Sequence, residues 1–201
     1  MSLLGAARYG VDQAPGALSV VQELLNTTSK GKPRLPDLLS EGALASEWLR
    51  EVREAATGEE PSPSSSAPLT ESDLRRLLAL REAVVASVTG SPASGIRADV
   101  KLSMSAEGQV GVVHPERPVT WIFSTVMVEA LLAQRSGDWR RLKICANPDC
   151  DLSFFDRSRN RSGVWHDVHV CGNAINLRAS RSRRRAETSP TQEGKRNRAP
   201  G

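Results

Sequence analysis

The sequence predicts an α+β protein. A mostly helical N-terminal domain with a β-hairpin is followed by a small cysteine-bearing module with a basic helix. Three observations predict it. Apolar residues recur at helical spacing in four long segments; two short β-type runs flank a turn; and all three cysteines fall between residues 145 and 171 of 201. The expected limits are 1–138 for the helical domain, with a flexible loop at 58–68, 139–185 for the cysteine module and its helix, and 186–201 for a disordered tail.

Residues 1–15 read as a loose lead-in. ALSVVQELLNTT (17–28) places Leu18, Val21, Leu24 and Leu25 on one helical stripe. Asn26-Thr27 closes that helix and reads as a local C-terminal cap, with a small-ligand contact as the alternative. KGKPRLPDLLS, with two prolines, is a connection holding at most a short turn. EGALASEWLREVREAA (41–56) aligns Leu44, Trp48 and Val52, and GEEPSPSSSAP (58–68) is a Pro/Ser-rich surface loop. Thr70 and Asp73 form a capping-box pair at the start of a helix running through residue 89. ADVKLSM (98–104) and QVGVVH (109–114) make strands joined by SAEG, with Gly108 at the turn. VTWIFSTVMVEALLAQR (119–135) is an apolar core helix ended by Ser136-Gly137, with Trp121 and Phe123 as packing residues. His114, before Pro115, reads as a loop histidine.

Composition is that of a globular chain, with 39% hydrophobic and 25% charged residues. No run approaches the roughly 18 apolar residues of a membrane span. The start shows no signal-peptide pattern, and clustered cysteines do not make a disulfide framework, so a reduced, cytoplasmic setting without a membrane is expected. Charge is unevenly placed. Residues 1–138 hold 13 Lys/Arg and 17 Asp/Glu, a net of −4; residues 139–201 hold 14 and 6, a net of +8. An acidic body with a basic end points to a polyanionic partner, of which nucleic acid is the commonest in a cell.

The cysteines follow Cys145-x4-Cys150-x15-His166-x4-Cys171. Two ligand pairs, each closed by a short loop, outline a structural Zn²⁺ site with a Cys3His tetrahedron, and Asn147-Pro148 supplies the turn inside the first pair. This makes Cys145, Cys150, His166 and Cys171 the expected metal ligands and Zn²⁺ the expected cofactor. His169 is an alternative fourth ligand. Metal-free cysteines serving as small buried hydrophobes are another alternative, and a catalytic zinc or cysteine nucleophile a third. No acid–base pair or phosphate loop appears, so no enzyme activity is expected.

Arginine dominates the flanks. Between 140 and 185 there are 11 basic and 4 acidic residues. Arg140, Arg141 and Lys143 precede the first cysteine, and Arg157, Arg159 and Arg161 lie between the ligand pairs. A helix from about residue 172 starts near Asn173 and carries Arg178, Arg181 and Arg185 at i, i+3 and i+7, with Arg183 and Arg184 beside them. Guanidinium groups grip phosphates through two oxygens at a time. Arg157, Arg159, Arg161, Asn173, Arg178, Arg181, Arg184 and Arg185 are therefore the candidate nucleic-acid contacts. A solvated basic helix end is the bland reading of the same charges.

The run from Arg141 to Arg185 resembles the CGNR zinc finger in Cys145, Cys150, Phe155, Asp156, Ser158-Arg159-Asn160, Ser162, Trp165, Cys171, Gly172 and Asn173. The N-terminal part resembles the ABATE domain in Leu24-Leu25-Asn26-Thr27, Trp48-Leu49 and Leu80-Arg81-Glu82. The resemblance implies a bacterial transcription regulator. Two positions depart from the pattern: His166 stands where the finger has cysteine, and Ala174 where CGNR has its arginine. The expected function is that of a zinc-binding, DNA-binding regulator whose N-terminal domain senses or dimerises. The alternatives are a zinc-dependent protein-interaction module and an RNA-binding protein that stacks bases on Phe154, Phe155 and Trp165. Expected partners are DNA, RNA as the alternative, and a second copy in a homodimer.

Overall fold

The computed structural model describes Ser2 and residues 4–29, 33–58 and 69–188, with side chains described as far as Arg184. The chain divides into two compact units, Met1–His166 and Asp167–Gly201.

The first unit contains helices α1 (Gly5–Tyr9), α2 (Leu18–Leu25), α3 (Gly42–Thr57) and α4 (Glu71–Thr89), strands β1 (Lys101–Met104) and β2 (Val110–Val113), helix α5 (Pro118–Ser136), a 3₁₀ turn (Asp138–Arg141), and strands β3 (Leu142–Ile144) and β4 (Ser153–Phe155). Each sheet is an antiparallel hairpin, β1 with β2 and β3 with β4. The second unit holds a π-helical turn, Val168–Gly172, and helix α6, Asn173–Thr188. No helix among the described residues is long and apolar enough to cross a membrane.

Helices α3, α4 and α5 and the β1–β2 hairpin lie where the apolar spacing puts them. Helix α4 starts with the capping box: Thr70 accepts from Asp73 N–H at 3.2 Å, and Asp73 accepts in return from Thr70 N–H at 3.2 Å. Such a cap satisfies helix-end amides that would otherwise go unpaired. Arg117 adds an ion pair to Asp73 at 2.7 Å. In the hairpin Gly108 takes φ +81°, a conformation a side chain would strain. The loop expected at 58–68 lies, apart from Gly58, outside the described residues, as do residues 189–201 of the expected tail; 186–188 belong to α6.

The core gathers on α2. Leu24, Trp48, Leu49, Leu77, Leu80, Trp121, Ile122 and Val126 are all essentially buried. Helix α2 is more than a one-sided stripe, because Gln22 and Glu23 on its other faces are buried as well. Burying polar groups without partners costs about 1–3 kcal/mol each, so this helix must find partners all round.

One partner is a segment expected to be loose. Residues 5–9 form α1, whose Gly5 N–H donates to Glu23 Oε2 at 2.6 Å. Arg8 donates to the carbonyls of Asn26 (3.2 Å) and Pro36 (2.5 Å), and Tyr9 O–H to that of Thr28 (2.6 Å). A Cβ on Gly5 would meet Asn26 Cβ at 2.9 Å, so only glycine fits this approach. Five residues are too few to show helical periodicity, which is why the lead-in reads as loose. The Pro-rich connection is fixed too: Arg81 holds the Asp37 carboxylate through two bonds of 2.8 Å and reaches Thr27 Oγ1 at 2.8 Å.

Candidate metal centre and arginine surface

Strands β3 and β4 build the first half of the site, a hairpin that no sequence signal marked. Leu142 pairs with Phe155, Lys143 with Phe154 and Ile144 with Ser153. The ladder continues through Cys145 N–H to Leu152 O at 2.8 Å, which leaves Cys145 and Cys150 at the two ends of a tight turn. Asn147 shapes that turn: its carbonyl accepts from Cys150 N–H at 2.9 Å and its side chain from Asp149 N–H at 3.2 Å. Asp151 follows in the left-handed region at φ +53°. Ala146 N–H then takes Val164 O at 2.9 Å, which brings the chain before His166 alongside the knuckle.

The ligand atoms of Cys145, Cys150, His166 and Cys171 all lie within 4.8 Å of one another. The three thiols are buried and none is in a disulfide. His166 turns Nδ1 toward Cys150 Sγ, at 3.3 Å. His169 is exposed, and its amide is held by Asp167 Oδ1 at 2.6 Å. Cys171 sits in the π-helical turn that Asp167 caps through His169 N–H and Val170 N–H.

The donor set suits a soft metal. A Zn–S bond of about 2.3 Å puts tetrahedral ligand atoms about 3.8 Å apart, so a slight contraction of this cluster would close it on one ion. The Cys145 thiol is pulled down to about 3, first by a hydrogen bond with Cys150 and then by one with His166, against the opposing effect of burial. The environment therefore favours thiolate, the form that ligates metal.

A second constellation folds the segment between the ligand pairs. Asp156 is almost fully buried and accepts from Ser158 N–H (2.9 Å), Gly163 N–H (2.9 Å) and Lys143 Nζ (2.6 Å). Burial raises its pKa, but Lys143, Ser158 and Gly163 outweigh burial and hold the carboxyl below the usual carboxylate range. Lys143 also donates to the carbonyls of Arg161 and Gly163, and Arg141 to those of Asp156 and Ser158. Lys143 and Arg141 are thus turned to the loop; the basic run before Cys145 is structural in part. Arg157, Arg159 and Arg161 stand exposed on the loop. Arg157 donates to Gln13 O at 2.7 Å and lies 5.7 Å from the centre of the Phe155 ring.

In the second unit Asn173, Arg178, Arg181 and Arg184 are exposed on α6, and Arg185 lies in that helix beyond the described side chains. Phe154, expected as a base-stacking platform in the RNA alternative, is 7% exposed and committed to packing.

Asn26 is the C-cap of α2, as the sequence predicts, but its side chain has a second role that sequence reasoning missed. Thr27 does make the expected local bond, to Leu24 O at 2.8 Å. Asn26 instead reaches across to β4, where it pairs with both the N–H and the C=O of Ser153. Gln22 donates to the same carbonyl at 3.4 Å. An Asn at the end of a helix buried on every face was the available signal.

Residues 18–121, just over half of the chain, match the ABATE family, described as "Putative stress-induced transcription regulator". The chain belongs to the ABATE family. Residues 141–184 of this ABATE protein match the CGNR zinc finger, so the two matches follow in the order the motifs predict. The four clustered Cys/His residues fall inside the finger match, and the contacts of Asn26 to β4 tie the two matched segments together. No curated protein matches the sequence.

Proposed function

We propose that this ABATE protein is a zinc-dependent, DNA-binding transcription regulator. Cys145, Cys150, His166 and Cys171 would hold one structural Zn²⁺. Arg157, Arg159 and Arg161 on the loop, with Asn173, Arg178, Arg181, Arg184 and Arg185 on α6, would meet the phosphate backbone. Residues 1–138 would sense a signal or dimerise. The single observation that carries the reading is the loop 157–163: a buried carboxylate and an inward-turned lysine hold it, and its arginines are left exposed between the two ligand pairs. Phosphate contacts position a protein on DNA and make its affinity fall with salt.

The test is a salt titration of duplex binding with zinc-loaded protein. Binding that weakens linearly on a log–log plot supports the reading. No measurable binding at low salt removes it.

A further inference from the structure

Helices α4 and α5 leave a groove that the chain's own core does not fill. Its volume is about 890 Å³, within the roughly 300–1,000 Å³ typical of small-molecule sites. Leu80 and Ser87 on α4 and Val126 and Ala130 on α5 contribute to its walls. The β1–β2 hairpin contributes another. Its register sets Leu102 opposite Val112 and Met104 opposite Val110, so one face of the hairpin is wholly apolar. Leu102 is nevertheless 64% exposed and Val110 61%. Exposed apolar surface of this kind marks a place where something binds.

At one end the chemistry changes. Gly95 and Ile96 line this groove and also a second cavity of about 550 Å³, which Arg76, Arg97 and Phe123 help to enclose. The Arg76 guanidinium lies 4.9 Å from the centre of the Phe123 ring. Among the described residues that line either cavity, none carries a carboxylate. Arg76, Leu80, Ala83 and Ser87 follow one another along one side of α4. At 1.5 Å per residue, the path from Arg76 to Ser87 is about 16 Å long.

We propose that the two cavities form one site for an amphipathic monoanion: an aliphatic carboxylic acid of medium chain length. Its carboxylate lies between Arg76 and Arg97, and its tail runs along α4 and α5 toward the hairpin. Guanidinium groups recognise carboxylates through paired donors. The tail gains from leaving water in proportion to the apolar area it covers. Charge selects this occupant over a neutral or cationic one. The proposal rests on the reading of residues 1–138 as the sensing part and gives that part a ligand class.

The experiment is calorimetric titration of the zinc-loaded full chain with dodecanoate, below micelle formation, beside dodecanol and dodecyltrimethylammonium. We expect saturable binding of one dodecanoate per chain, at least tenfold tighter than the cation of equal tail. R76A/R97A should weaken dodecanoate at least tenfold and leave dodecanol unchanged, and Ala83→Trp should abolish both. If circular dichroism shows that Ala83→Trp does not fold, the surface double variant decides. Absence of saturable binding overturns the proposal, as does equal affinity for anion and cation. So does a chain that sediments as a dimer, is split by Leu102→Glu and takes up no dodecanoate, since the groove would then be covered by a second copy. Duplex binding is measured on the same sample. DNA affinity without dodecanoate binding overturns this proposal alone; dodecanoate binding without DNA affinity upholds the site and removes the regulator reading.

Discussion

Asn26 at the C-terminal end of α2 and Ser153 on β4 pair as two residues of neighbouring strands would. Ser153 N–H donates to Asn26 Oδ1 at 2.8 Å, and Asn26 Nδ2 donates to Ser153 O at 3.2 Å. The side chain of a helix thereby completes the outer edge of the hairpin that carries Cys145 and Cys150. Both residues are buried, so neither has water as a substitute. Asn26→Ala should destabilise the protein by about 2–4 kcal/mol, the cost of two buried groups left unpaired. Urea denaturation checks the magnitude. If Asn26 also steadies the knuckle, zinc should pass to a coloured chelator faster from the variant than from the parent.

Metal content gives the most direct check of the ligand set. The purified chain should carry about one zinc, and Cys150→Ser or Cys171→Ser should weaken zinc binding at least ~100-fold, more than loss of a supporting residue usually costs. His166→Cys should keep the metal, since it restores a ligand of the same capacity. His169→Ala should leave zinc content unchanged.

Removing Asp156 should loosen the arginine loop while leaving every ligand in place. Asp156→Asn breaks a buried pair with Lys143, at a cost of about 3 kcal/mol, toward the low end because Lys143 keeps some solvent contact. The carboxyl lies below its ordinary range in the folded chain. Its contribution is therefore present above the unfolded value and lost as pH falls through the folded one. Acid denaturation of the parent should show this loss, and the variant's stability should depend less on pH there.

Glu23 should show the opposite sign. Burial pushes its carboxyl up to about 7, against the hydrogen bond from Gly5 and the charge of Arg8. A raised carboxylate favours the protonated fold, so stability should fall as pH rises from about 4.5 to about 7 and stay lower above it. The full effect is at most about 3 kcal/mol. Glu23→Gln should flatten the profile in that window and make the variant more stable than the parent at pH 8. Parallel urea midpoints at pH 5 and pH 8 would count against this account.

For DNA, R159A/R161A should reduce the slope of log affinity against log salt by about 1.8, two phosphates at about 0.9 each. Ala174→Arg, which supplies the guanidinium missing from the CGNR motif, should steepen it by about 0.9. Equilibrium titrations at four or five salt concentrations resolve both.

The long elements were legible because their apolar residues repeat over several turns. Leu74 to Val88 could be read from spacing, and so could Thr70 with Asp73. The Cys3His cluster was legible because its chemistry is rare and its spacing narrow. Four things were not. Helix α1 is too short to repeat. The β3–β4 strands have three residues each, shorter than a periodic signal needs. The role of Asn26 depends on a partner 127 positions away, and local sequence carries no information about that distance. Lys143 was counted with the basic flank because composition does not record which way a side chain points.

That last residue has an evolutionary consequence. The loop from Arg157 to Gly163 takes its shape from Arg141, Lys143, Asp156, the Ser158 hydroxyl and main-chain groups; Arg161 enters its hydrogen bonds through the backbone alone. Positions 159 and 161 can therefore change without unmaking the loop, with glycine or asparagine well suited to the φ of +53° at Arg161. Paralogues could acquire new target preferences by drift at two surface codons while the same fold is inherited intact.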